Sequence, residues 1–136
     1  MPKFKNLILI DDDVVANYLH QWWAEKMNLA ENIVSCCNPK QAIGYVDKNG
    51  FGITPDLMLI DIHMPVMDGL ELLQELFSSP GLIGSRGHLL MLTSSSHQSD
   101  YAKAHQFPIS GWLTKPLNEP QVQKLIQLLE SPVERE

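Results

Sequence analysis

Apolar positions along the chain fall into two alternating rhythms. Short apolar runs at 6–10, 32–36, 56–60, 88–93 and 110–114 have the length and composition of strands. The stretches between and after them, at 14–27, 39–47, 70–77, 98–105 and 119–130, read as helices. The last shows this most regularly. Val122, Leu125, Ile126 and Leu129 recur at i, i+3, i+4 and i+7, the stripe of a helix that buries one face. On the first helix Val15, Leu19 and Trp22 share a face, so Trp22 is expected in the core and Trp23 near the surface. Strand and helix alternate throughout, which predicts βα units around a parallel sheet.

Punctuation supports these boundaries. Asn38 before Pro39 and Asn118 before Glu119 are N-cap candidates, with proline tolerated in the first turn. The connection SSPGLIGSRG, residues 78–87, is rich in turn formers and predicts a solvated loop. No repeat, low-complexity tract or composition shift divides the chain, so residues 1–136 are expected to form one domain. The tail SPVERE is short and polar, and no output domain is expected after the last helix.

Composition narrows the function. With 44% apolar and 19% charged residues the chain can bury a real core. A net charge of -6 lacks the basic footprint of a nucleic-acid binder. The opening MPKFKNLILIDD meets acid after four apolar residues, too soon for a signal peptide or membrane span. Cys36 and Cys37 are adjacent and geometrically poor partners, so they read as reduced thiols of a cytoplasmic protein, one facing in and one out.

Chemistry collects at the strand ends. In an open parallel sheet, ligands bind outside the carboxyl ends of the strands, near the reversal of strand order. The first strand delivers Asp11 and Asp12, the third Asp61, the fourth Thr93, Ser94 and Ser95, and the fifth Lys115 and Pro116. Three carboxylates form an oxygen-rich pocket suited to Mg²⁺, and the metal would relieve their mutual repulsion. A lysine and a hydroxyl could hold phosphoryl oxygens.

Two reactions use these parts. In a phosphatase of the haloacid-dehalogenase type, Asp11 attacks and Asp13 acts as acid and base; Asp11, Asp13 and Val15 fit the DxDx(T/V) letters. In the alternative, Asp11 and Asp12 hold the metal and Asp61 accepts a phosphoryl group. The phosphatase pattern wants a late acidic pair, and from Thr93 to the start of the last helix this chain has only the separate Asp100 and Glu119. It also leaves DLMLIDIHMPVMDG, residues 56–69, unexplained. Asp13, just before Val14, is read as an N-cap, and Asp68 as a turn or cap residue.

That last stretch, with LILIDD, LLMLTS and GWLTKPL in order, resembles the receiver domain of bacterial two-component response regulators. The resemblance implies a doubly wound flavodoxin-like α/β fold with five parallel strands in the order 2-1-3-4-5. It implies phosphorylation of Asp61 and Mg²⁺ held by Asp11, Asp12, Asp61 and the backbone carbonyl of His63. Thr93 and Lys115 would contact the phosphoryl group, and Lys115-Pro116 would be a cis peptide. Trp112, three before the lysine, stands where the family carries its switch aromatic, more often Phe or Tyr; its bulk leaves inward rotation open. The His63 side chain is expected to overhang the pocket, and His20, His88, His97 and His105 to be ordinary surface or semi-buried residues. The expected partners are a sensor histidine kinase or a histidine phosphotransfer protein and an unknown downstream protein. The domain would be a monomer or weak homodimer, a self-catalysing switch rather than an enzyme with an external substrate.

Overall fold

The apolar runs form five strands, β1 (Phe4–Ile10), β2 (Ala30–Cys36), β3 (Asp56–Asp61), β4 (Gly87–Thr93) and β5 (Gly111–Thr114). They pair in parallel in the order β2-β1-β3-β4-β5, as expected for a doubly wound sheet. The structure is a computed structural model that describes residues 3–64, 67–79, 81–93 and 102–129. Its helices are α1 (Val14–Lys26), α2 (Pro39–Asn49), α3 (Gly69–Ser78) and α4 (Glu119–Leu129). Of the helix expected over 98–105, residues 102–104 are helical and 94–101 lie outside the described residues.

Side chains alternate across the sheet and build two cores. Ile8, Ile10, Met58 and Ile60 pack with Ala42 and Val46 of α2 and with Leu72, Leu73 and Leu76 of α3. Leu7, Leu9, Leu57 and Leu59 pack on the other side with Ala24 of α1 and with Val122 and Leu125 of α4. β3 is buried along its whole length, so whatever it carries at its end stands on a strand covered on both faces. Each such aliphatic side chain contributes about 1.5–3 kcal/mol by leaving water.

The caps follow the expected chemistry. Asp13 accepts from the amides of Val15 and Ala16, and Asn38 from that of Gln41. Asp68 and Glu71 form a reciprocal capping box on α3. Asn118 accepts from the Gln121 amide at the start of α4.

Two expectations need correction. Trp22 does not enter the core: it is exposed, Trp23 is half-buried, and the inward face of α1 is Asn17, His20 and Ala24. The Asn17 amide donates to the carbonyls of Asp11 at 2.8 Å and Cys36 at 3.1 Å, which fixes the rotation of the helix. Val15, Leu19 and Trp22 do share a face, but it points to solvent. Nor is the loop 81–87 simply solvated. Gly84 N–H donates to Phe51 O and Arg86 N–H to Gly52 O, and a Cβ on Gly84 would stand 2.5 Å from Gly52 O. Two backbones meet there as only glycine permits.

Candidate functional site

The chain leaves β1 outward to β2 and returns to the other side of β1 at β3, so the sheet's order reverses between β1 and β3. Asp11, Asp12 and Asp61 stand at that crevice, each with a carboxylate oxygen within 4.8 Å of the others. Asp11 and Asp61 are buried and Asp12 is exposed. Lys115 enters from the β5–α4 connection, its Nζ 2.6 Å from Asp11 Oδ2 and 3.3 Å from Asp61 Oδ2. The Lys115-Pro116 bond is cis, as expected.

Neighbouring backbone holds these groups in place. Asp11 Oδ1 accepts from Asp13 N–H at 2.9 Å, and Asp61 Oδ1 from His63 N–H at 3.3 Å. Thr93, buried at the end of β4, gives its carbonyl to Lys115 N–H at 2.8 Å, which ties the threonine and lysine positions together. Gly69 lies so close beneath β3 that a Cβ would stand 2.5 Å from Asp61 O. The start of α3 thereby presses against the end of β3.

Charge and burial act against each other here. Burial, then repulsion from Asp11, pushes the Asp61 carboxyl up to about 6, although Lys115 and the His63 amide favour its ionised form. Burial alone would lower Lys115, but the hydrogen bond to Asp11 and the charges of Asp61 and Asp11 outweigh it and raise the ammonium. Hard carboxylate oxygens in this arrangement suit a magnesium-like ion better than a soft metal. Three carboxylates against one lysine leave negative charge that such an ion would balance.

The remaining predicted residues lie around this centre. The His63 side chain is exposed at the rim. Trp112 sits on β5, half-buried against the core on the α2 and α3 side. A cavity of about 570 Å³ beside Asp12 is lined by Cys37, Asn38, Met64 and Met67, among others. Cys36 is buried and Cys37 exposed, the alternation expected of them. A second cavity of about 590 Å³, near His88 and Ser110, lies at the amino-terminal end of β4 and takes no part in the site.

Sequence reasoning missed two residues behind the site. His20 is 3% exposed, not a surface residue, and burial holds its imidazole below the usual range despite the nearby Asp11. Asn17 is buried beside it and binds the backbone of Asp11. With Ala24 they form an i, i+3, i+7 set, a periodic signal hidden by the stronger apolar signal of the opposite face.

Residues 7–127 match the response regulator receiver domain family. Chemotaxis protein CheY of Halobacterium salinarum is 27% identical over 123 residues, covering 90% of this chain and 93% of that protein. Response regulator Rcp1 of Synechocystis is 25% identical, covering 93% of this chain and 87% of Rcp1. The match to Regulator of RpoS of Escherichia coli, 29% identical, spans only 30% of that longer protein. Among solved structures, a two component response regulator from Cytophaga hutchinsonii superposes with a TM-score of 0.81 at 26% identity, covering 95% of this chain and 99% of that one. Among the described residues no helix is long and apolar enough to cross a membrane.

Proposed function

The chain belongs to the response regulator receiver domain family, and from that premise we propose that it is a phosphoacceptor switch that takes a phosphoryl group on Asp61. One observation carries this reading: Lys115 bridges Asp11 and Asp61 in a crevice where Asp12 completes a trio of carboxylates. Asp61 is ionised at neutral pH and ready to act as nucleophile. One of its oxygens forms a bond to phosphorus as the P–N bond of a phosphohistidine donor breaks, and the imidazole leaves with the electron pair. Lys115 and the Thr93 hydroxyl then hold the phosphoryl oxygens. Mg²⁺ bound to Asp11, Asp12, Asp61 and the His63 backbone carbonyl would offset the negative charge that collects there. Attack of water on phosphorus later releases inorganic phosphate and restores the carboxylate. The chain thus catalyses steps on itself and has no external substrate.

Donor recognition is supported by the outward face of α1. Val14, Val15, Tyr18, Leu19 and Trp22 are 72%, 66%, 69%, 45% and 43% exposed, an apolar stripe at helical spacing close to the site. Such a stripe suits the helix bundle of a histidine kinase or histidine phosphotransfer protein. The output is a protein contact or onward transfer of the phosphoryl group.

Acetyl phosphate with Mg²⁺, followed by intact mass, tests the reading. A base-labile phosphoryl adduct is expected on the wild type and none on Asp61→Asn. An adduct that persists in Asp61→Asn but vanishes in Asp11→Asn would favour the phosphatase-like arrangement. No adduct on any variant would leave a constitutive scaffold.

A further inference from the structure

Asn17 performs a task for which the site so far described has no assigned residue. Its side chain lies on the inward face of α1 and the residue is 6% exposed. One amide nitrogen donates to both Asp11 O, at 2.8 Å, and Cys36 O, at 3.1 Å. The ladder between β1 and β2 has its last pair at Ile10 and Cys36. The amide therefore ties the two strands just where Asp11 leaves the sheet. Asp11 N–H also donates to Cys36 O at 3.1 Å, and the three groups form one closed knot.

The cost of this arrangement shows its purpose. Asn17 Oδ1 is buried and has no hydrogen-bond partner among the described residues. A leucine has the same branched shape and would bring no such loss. Burying an amide here is worthwhile only for its two donated bonds. One of those bonds is accepted by the Asp11 carbonyl and the other by the Cys36 carbonyl that also receives the Asp11 N–H, so both bear on the backbone of the residue whose carboxylate repels Asp61 and meets Lys115. Left to itself, the repulsion among three carboxylates would drive the loop after β1 outward.

We propose that Asn17 is a positioning residue that fixes the Asp11–Asp12 loop in the geometry needed for metal binding. This inference rests on the phosphoacceptor reading, because the metal is part of that reading. Partners behind a ligand, once removed, typically cost about 10-fold or more in metal affinity.

The test combines Mg²⁺ titration by calorimetry, at a pH where Asp61 is ionised, with amide hydrogen exchange. Asn17→Leu is expected to bind Mg²⁺ about 10-fold more weakly and to exchange the Asp11 and Asp13 amides faster, while β3 stays protected. Saturating Mg²⁺ should restore labelling by acetyl phosphate, which a general loss of fold would not allow. Asn17→Ser keeps one donor in a smaller side chain and should fall between; if the leucine variant does not fold, the serine variant is judged by the same criteria. Wild-type Mg²⁺ affinity in a folded variant would overturn the proposal, whether or not exchange is faster. Failure of the wild type itself to bind Mg²⁺ would instead defeat the phosphoacceptor reading, and this inference with it.

Discussion

Lys115 is the residue on which the charge balance of the site turns. Its ammonium touches two carboxylates that repel each other, and it is one of the forces keeping Asp61 from rising further. Replacing it with alanine leaves Asp11 and Asp61 facing each other across a buried gap. The Asp61 carboxyl is then expected to titrate above its value of about 6, read from the carboxyl carbon shift in a chelator-containing buffer. Labelling by acetyl phosphate should slow at neutral pH, because less carboxylate is ionised and no ammonium receives the transferred oxygens. An unchanged titration in Lys115→Ala would mean that solvent, not the lysine, sets the ionisation of Asp61. The place of Asp61 beside Asp11 and Asp12 was legible in the sequence because each stands at the end of an apolar run that reads as a strand. Asn17 was not, because its function depends on the two carbonyls it reaches and no residue type announces those.

Among the elements, α1 separates local from tertiary information most clearly. Its apolar residues do lie on one face, as their spacing predicts, but the helix turns that face to solvent. Periodicity tells which residues share a face and is silent about which face the sheet takes. Here the Asp13 cap and the Asn17 bonds decide it. An exposed stripe of this size adjoining the site is better explained by a partner than by the core. Leu19→Glu should therefore change stability by no more than about 0.5 kcal/mol, as expected of a surface position. Transfer from a phosphohistidine protein that labels the wild type should fall about 10-fold or more, a loss of about 1.4 kcal/mol of docking energy. Labelling by acetyl phosphate, which needs no docking, should be unchanged. Equal losses with both donors would place Leu19 in the fold rather than in recognition. α3 was legible to within a residue at each end, and α4 at its start, because their apolar stripes and caps agree with the packing they enter.

For the whole molecule, the strand order and the meeting of Asp11, Asp12, Asp61 and Lys115 at the strand ends were readable from the alternation of elements together with the motif resemblance. The tie between the loops at 51–52 and 81–87 was not, because it is made by backbone atoms. The site's burial nevertheless has a consequence for global stability. Asp61 rises from 3.8 to about 6 on folding, so between those values the folded chain keeps a proton that the unfolded chain releases. Its contribution therefore lowers stability as pH rises through that window, by up to about 3 kcal/mol in the metal-free protein. His20 acts in the opposite sense. Its folded value is lowered, so the unfolded chain binds the extra proton and stability rises with pH below about 6.5. The wild-type profile mixes both slopes, and a difference measurement separates them. Asp61→Asn removes one slope and leaves His20 in place. In chelator the variant should be more stable than the wild type at about pH 7, with the gap closing as pH falls toward about 4. Mg²⁺ at about pH 7 should narrow the gap by stabilising only the chain that retains all three carboxylates. Thermal unfolding across this range decides the matter: a gap that does not change with pH would show that Asp61 is no more burdened by its burial than an ordinary surface aspartate.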